Sequence, residues 1–336
     1  MNLEGRIDIT LAPARVSIRS TRPQLAQKLL GGRAPSEAAH LAGLIFSLCG
    51  QAQRAACETA CAAAAGVDAD AQWARSVAVA VELAQEHAWR LLLDWPRQAG
   101  QPPDQASQSR LRQAAADPAG FAAILDTLLR DTLLGEPAEV WLGRDLDAFD
   151  AWRRAGATPT AHLFAALGEG ADVGISRAGL LPASSALEDA TARDFARRAL
   201  DTPAFCGQPL WREEPAETGA IARVHPHPLL AAWIARRGRG AGARLLARLL
   251  ELAALPARLG RAGSMSRRDG ILQGPAGSIG PNGAAGEILN GGLGTRQNAI
   301  DTLVRAWSLG DNTGVAAVET SRSEEHTSEL QSHSFI

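Results

Sequence analysis

The sequence predicts a mainly α-helical protein with a small N-terminal β-hairpin. Apolar residues recur at i, i+3, i+4 and i+7 through several long stretches, whereas strict apolar/polar alternation is clear only near the start. The chain has 336 residues, 46% of them hydrophobic, which is enough to bury a sizeable core.

The hairpin is predicted over residues 6–19. Ile7, Ile9 and Leu11 alternate with Arg6, Asp8 and Thr10, and Val16 and Ile18 alternate with Ser17 and Arg19. Ala12-Pro13-Ala14 makes the turn. A helix then begins at Pro35, a residue suited to a first helical position, and Leu41, Leu44, Ile45 and Leu48 form its buried face, leading straight to Cys49. The alanine-rich stretch Gln51–Ala65 continues helical, closed by Gly66. A long helix over Asp68–Trp95 carries Trp73, Val77, Val81, Ala84, Ala88, Leu91 and Trp95 on one stripe, and Pro96 is expected to stop it. Gln98–Ser109 reads as a polar loop. Helices follow over Phe121–Leu134, Asp147–Arg154, Thr160–Leu167, Ala186–Leu200, Pro228–Arg236 and Gly242–Leu255, the last with Leu245, Leu249 and Leu252 inward and its end at Pro256. Residues 257–294 read as an extended loop, and a final helix is expected over Thr295–Trp307. No internal repeat at a solenoid period is present.

Composition excludes some function classes. The formal net charge is −2 and is spread along the chain, so there is no basic footprint for nucleic acid or a membrane surface. No apolar run reaches the ~20 residues needed to span a bilayer, and the first residues lack a signal-peptide pattern. The expected location is therefore cytoplasmic. There, Cys49, Cys57, Cys61 and Cys206 are thiols or metal ligands rather than a disulfide framework.

Each motif has a plain reading and a chemical one. Cys49 ends an apolar helix face, and Gly50 behind it is expected to free the backbone so that the thiolate is presented outward. Soft thiolates favour iron and nickel centres. Cys57 and Cys61 are four apart and could meet on one metal, but they sit among alanines and are expected to pack. Cys206 reads as structural. His225-Pro226-His227-Pro228 could be a metal pair but reads better as a turn feeding a helix. His87 lies on the apolar stripe and is expected to be a hydrogen-bonded core histidine. Gly238-Arg239-Gly240-Ala241-Gly242-Ala243 imitates a phosphate loop, but a helix precedes it where a strand is required.

Several phrases in order resemble the large subunit of nickel–iron hydrogenases. They are Leu3-Glu4-Gly5-Arg6, Leu29–Pro35, Leu48–Ala52, Glu217–Arg223 and Gly314–Arg322. The resemblance spans residues 3–322, read as one domain with that family's helical core. In the catalytic family two cysteines of the first motif bind the metals. Here Cys49 holds the first position, Ala52 replaces the second, and Ala56 stands where a histidine follows. Phe46–Gln53 and Leu92–Pro96 are more similar to a non-catalytic branch, the hydrogenase accessory proteins of the HupK/HoxV type.

That resemblance implies a maturation scaffold rather than an enzyme. Cys49 would be the metal ligand, transiently holding an Fe(CN)2(CO) fragment with no nickel retained, and Glu4 and Arg322 would line the pocket. The implied partners are maturation chaperones and the immature hydrogenase large subunit. A degenerate nickel–iron hydrogenase and a metal-free interaction module are the alternatives. Residues 323–336 break the compositional pattern and resemble a translated sequencing-adapter fragment. They are expected to be foreign and disordered, with the natural C-terminus, and any second cysteine motif, missing.

Overall fold

The N-terminal alternation forms the predicted hairpin. β1 (Ile7–Ala12) and β2 (Arg15–Ser20) pair antiparallel, with Ile9 opposite Ile18 and Leu11 opposite Val16. This comes from a computed structural model that describes residues 7–12, 15–20, 29–46, 49–64, 72–168, 170–181 and 210–264. The helices expected over Ala186–Leu200 and Thr295–Trp307 lie outside the described residues, as do Gly66, Cys206 and the tail 323–336.

The chain divides into two compact units. The first contains the hairpin and two helices, α1 (Pro35–Ile45) and α2 (Gly50–Ala64). Pro35 takes the first turn of α1 as predicted. Of the expected buried face, Leu41 and Ile45 are half-buried against the core, Leu44 is exposed and Leu48 lies outside the described residues, while Ala38, Ala39 and Ala42 are the buried residues. Small side chains let α1 and α2 approach closely, which makes the alanine face the contact and turns Leu44 outward.

The second unit is built from segments within Asp70–Ala183 and Glu214–Ser278. It begins with α3 (Gln72–Trp89), whose Val77, Val81, Ala84, Ala88 and Leu91 are buried as the stripe predicts. Pro96 does not stop this helix. A π-helical turn, Arg90–Asp94, follows α3, with the Trp95 N–H donating to the Arg90 carbonyl, and an α-helical turn runs on over Trp95–Gln98. In an α-helix the Leu92 carbonyl would need an N–H from residue 96, which proline lacks. The Asp104 N–H supplies the bond instead, at 2.9 Å.

The expected loop Gln98–Ser109 is shorter than predicted. The Asp104 carboxylate accepts from the Ser107 N–H and caps α4 (Gln105–Gln113). Next come α5 (Pro118–Leu128), running into a π-helical segment Leu129–Leu134, then the unpredicted α6 (Ala138–Leu142), α7 (Leu146–Ala155) and α8 (Pro159–Ala166). Two short strands, β3 (Gly179–Leu180) and β4 (Ala216–Glu217), pair in parallel. After them come α9 (Ala220–Val224), α10 (Pro228–Arg237) and α11 (Ala241–Ser264). Pro256 lies inside α11 rather than ending it, so the first residues of the expected loop 257–294 are helical. Leu245, Leu249 and Leu252 are fully buried, and α11 packs against α5, α3 and α9 as the centre of this unit. Trp141, Phe149, Trp152, Phe164 and Trp233 form a second cluster of edge-on and tilted rings.

Candidate functional site

Cys49 lies at the corner between α1 and α2. Its N–H donates to the Phe46 carbonyl at 3.1 Å, and its own carbonyl accepts from the Gln53 N–H at 3.0 Å, the first hydrogen bond of α2. Cys49 is thus at the N-terminus of α2 rather than at the end of a helix, where the backbone favours a negative charge. The adjacent Gly50 has a use other than the expected backbone freedom, and it is not in the left-handed region. A Cβ there would stand 2.5 Å from the Gly43 carbonyl oxygen. Glycine is required by the close approach of the two helices.

Cys49 is half-buried against Leu30, Ala42 and Phe46, with Leu41, Ile45 and Cys57 in the same cluster. The packing expected of Cys57 holds, while the side chain of Cys61 lies outside the described residues. Gln53, one turn into α2, is only 4% exposed, and its Nε2 donates to Cys49 Sγ at 3.6 Å. The sequence reading missed this residue, although its spacing of four from Cys49 on a helix places the two side chains together. Ala52 is half-buried and Ala56 is buried. Glu4 and Arg322 lie outside the described residues. Among the described residues no group of three or more His, Cys, Asp and Glu is placed to hold a metal ion.

The second unit holds several charged networks. In the first, His87 of α3 is 2% exposed, as the stripe predicted, and its Nε2 lies 2.7 Å from Glu251 Oε2 of α11. Arg223 of α9 donates to both oxygens of Glu251, at 2.5 and 2.8 Å, and Arg248 Nη1 lies 3.4 Å from His87 Nδ1. An Arg donor at Nδ1 and a carboxylate at Nε2 select the neutral, Nε2-protonated ring. Burial, partly opposed by Glu251, pushes the imidazole down to about 4. Burial would raise the Glu251 carboxyl, but the charge and hydrogen bonds of Arg223, with help from His87, hold it well below the usual carboxylate range. Burial lowers Arg248 to about 10, so it stays charged at neutral pH.

In the second network Asp150 of α7 accepts from Arg153 at 2.6 Å and from Arg237 of α10 at 2.9 Å, and both arginines also donate to the Gly168 carbonyl. Burial works against its ionisation, yet Arg153 and then Arg237 keep the carboxyl below its ordinary value.

The third network fills the apparent phosphate loop. The Asp172 carboxylate accepts from the N–H groups of Gly240, Gly242 and Ala243 at 3.1, 2.8 and 2.8 Å, and from Trp233 Nε1 at 3.3 Å. The helix N-terminus that a phosphate would need is occupied by the protein's own carboxylate. The histidine pair is also local structure. His225 Nδ1 lies 2.9 Å from the Ala222 carbonyl, and His227 Nδ1 accepts from the Leu229 N–H to cap α10.

Two curated proteins are similar to part of the chain. Over 95 residues, 28% of this chain, it is 42% identical to the hydrogenase expression/formation protein HoxV of Cupriavidus necator, covering 24% of that protein. Over 95 residues, 27% of this chain, it is 36% identical to the hydrogenase expression/formation protein HupK of Rhizobium leguminosarum bv. viciae, covering 26% of that protein. Each match thus spans about a quarter of the length of the curated relative. The resemblance to the HupK/HoxV type is shown over that length. No protein-family model and no solved structure matches the chain.

Proposed function

We propose that this protein is a hydrogenase maturation scaffold on which an Fe(CN)2(CO) fragment is held by the Cys49 thiolate before passing to the immature hydrogenase large subunit. The observation that carries the reading is the donor set at the α1–α2 corner. Cys49 stands half-buried at a helix N-terminus, while alanines occupy the other two positions of the metal motif that the chain resembles. Alanine cannot ligate a metal, so this motif offers one soft ligand. A single thiolate suits cargo that must leave, whereas a resident nickel–iron centre needs the pair. The named relatives, both expression/formation proteins, support an accessory role.

Other parts of the proposal rest on the sequence resemblance. They are the hydrogenase large-subunit-like helical core, the pocket-lining places of Glu4 and Arg322 and the docking of maturation chaperones; the cytoplasmic location is the expectation from composition alone. No helix among the described residues is long and apolar enough to cross a membrane.

The test is iron content and infrared spectroscopy of the protein purified after co-production with the hydrogenase maturation machinery. Cyanide and carbonyl bands are expected, and are expected to vanish in Cys49→Ala. Bands that survive Cys49→Ala would overturn the assignment of the anchor. Partner capture without iron, unchanged by Cys49→Ala, would replace the scaffold with a metal-free interaction module. Bound nickel with hydrogen-dependent dye reduction would make the chain a degenerate hydrogenase.

A further inference from the structure

We infer that Gln53 is a positioning residue that tunes the bond between Cys49 and its cargo toward release. This rests on the reading of Cys49 as the anchor. Gln53 is among the few polar side chains buried in the described residues, and it directs its amide Nε2 at the Cys49 sulfur. Burying an amide is costly unless its hydrogen-bonding groups are used, and the Cys49 sulfur is one of the partners this amide uses. Its backbone is tied to the same residue, because the Gln53 N–H donates to the Cys49 carbonyl. Donor and sulfur therefore move as one piece. The corner that carries them is locked by the backbone approach of Gly43 and Gly50, which is the rigid support that a tuned ligand requires.

The chemistry follows from that placement. When Cys49 binds iron as a thiolate, the amide N–H donates to a charged sulfur, and the hydrogen bond strengthens. It draws electron density from the sulfur, so less is donated to iron. Transfer then exchanges one thiolate for another. The Cys49 S–Fe bond breaks with its electron pair staying on sulfur, and a thiolate of the recipient forms the new S–Fe bond. Iron changes neither charge nor oxidation state, and the amide proton stays on nitrogen. The hydrogen bond stabilises the sulfur that departs, so Gln53 favours the leaving step. Hydrogen bonds from outside the ligand set tune metal–ligand bonds, and those to cysteine sulfurs shift the electronics of iron centres.

The experiment compares wild type, Gln53→Met, Gln53→Leu and Cys49→Ala, each loaded by co-production with the maturation machinery. Both Gln53 variants fill the buried space and lack the donor. Two readouts are taken: the position of the carbonyl infrared band, and the rate at which added free cysteine strips iron from the protein. In both variants the carbonyl band is expected to move to lower wavenumber, as more electron density reaches iron, and stripping is expected to slow by about tenfold. An unshifted band with an unchanged rate, in a protein whose bands still depend on Cys49, would overturn the role of Gln53 and leave the anchor standing. Faster stripping in both variants would also overturn it, because Gln53 would then retain cargo. Bands that persist in Cys49→Ala would instead remove the anchor itself.

Discussion

Replacing Glu251 with glutamine removes a negative charge from a fully packed site while nearly keeping its shape. The carboxylate receives two hydrogen bonds from Arg223 and faces His87 at 2.7 Å. The amide offers one acceptor oxygen in place of two, and its NH2 group faces a guanidinium or an imidazole N–H. Breaking a buried ion pair on one side costs about 3–5 kcal/mol, because the partner charge is left uncompensated. Arg223 is partly solvated, which favours the lower end, about 3 kcal/mol. At roughly 2–4 °C per kcal/mol for a chain of this size, Tm falls by about 6–12 °C. Thermal unfolding followed by circular dichroism at pH 7.5 reads this directly.

The same network fixes a pH dependence. His87 is held neutral, down to about 4 against its ordinary 6.5. The unfolded chain therefore takes up a proton that the folded one refuses between these values. The stabilisation is complete above pH 6.5 and is lost as pH falls toward 4, at up to about 1.4 kcal/mol per pH unit. Glu251, held ionised below the usual range, adds acid sensitivity of the same sign at lower pH. A Glu251→Gln protein with Tm within about 2 °C of wild type, or a wild type whose Tm is flat between pH 7 and 5, would refute the reasoning that this network ties α3, α9 and α11 together.

Two further outcomes follow from other sites. Asp172→Ala leaves three N–H groups at the start of α11 without their acceptor and is expected to cost about 1–2 kcal/mol, with Asp172→Asn close to wild type; urea unfolding measures both. Ala52→Cys restores a second thiolate three residues from Cys49, and iron stripping by free cysteine is expected to slow by at least about tenfold. An unchanged stripping rate would show that position 52 does not face the bound fragment.

Where the sequence was legible, a local rule and the tertiary packing agreed. The hairpin follows from alternation, and the α3 stripe from a 3.6-residue period. The buried state of His87 followed from its place on that stripe. Some of the misses come from partners distant in sequence. Pro96 and Pro256 look like helix stops when only the chain before them is considered. The first is tolerated because a π-helical turn precedes it and Asp104 takes the Leu92 carbonyl; among the described residues no comparable hydrogen bond explains the second. Leu44 matches the helical period but loses to alanines, because the distance between α1 and α2 is set by glycines 43 and 50 facing each other. Glu251 could not be recognised as the partner of His87, since 164 residues separate them. The glycine-rich segment was correctly denied a phosphate on context, but the carboxylate that fills it, Asp172, lies 68 residues or more before the amides it caps.

The two phrases that read as similar to the accessory proteins have different physical content. In Leu92–Pro96 the residues specify a backbone: two buried leucines, an Asp94 side chain that accepts from Arg90 and Trp89, and a proline accommodated by the π-helical turn before it. Nothing in that phrase is a soft metal ligand. In Phe46–Gln53 the residues also specify a backbone, through Phe46 in the core and Gly50 against Gly43, but they add a thiol and a buried amide aimed at it. Shared phrases of the first kind transfer a shape, and shape alone does not establish function. Only the second contains a group able to bind iron. The functional reading therefore depends on one sulfur, and the residues beside it limit what that sulfur can do. Alanine at 52 and at 56 offers no ligand, and the Gln53 amide donates to the Cys49 sulfur, which in the proposed scaffold would weaken the one remaining bond. A site built to keep its metal would be expected to have the opposite arrangement at all three positions.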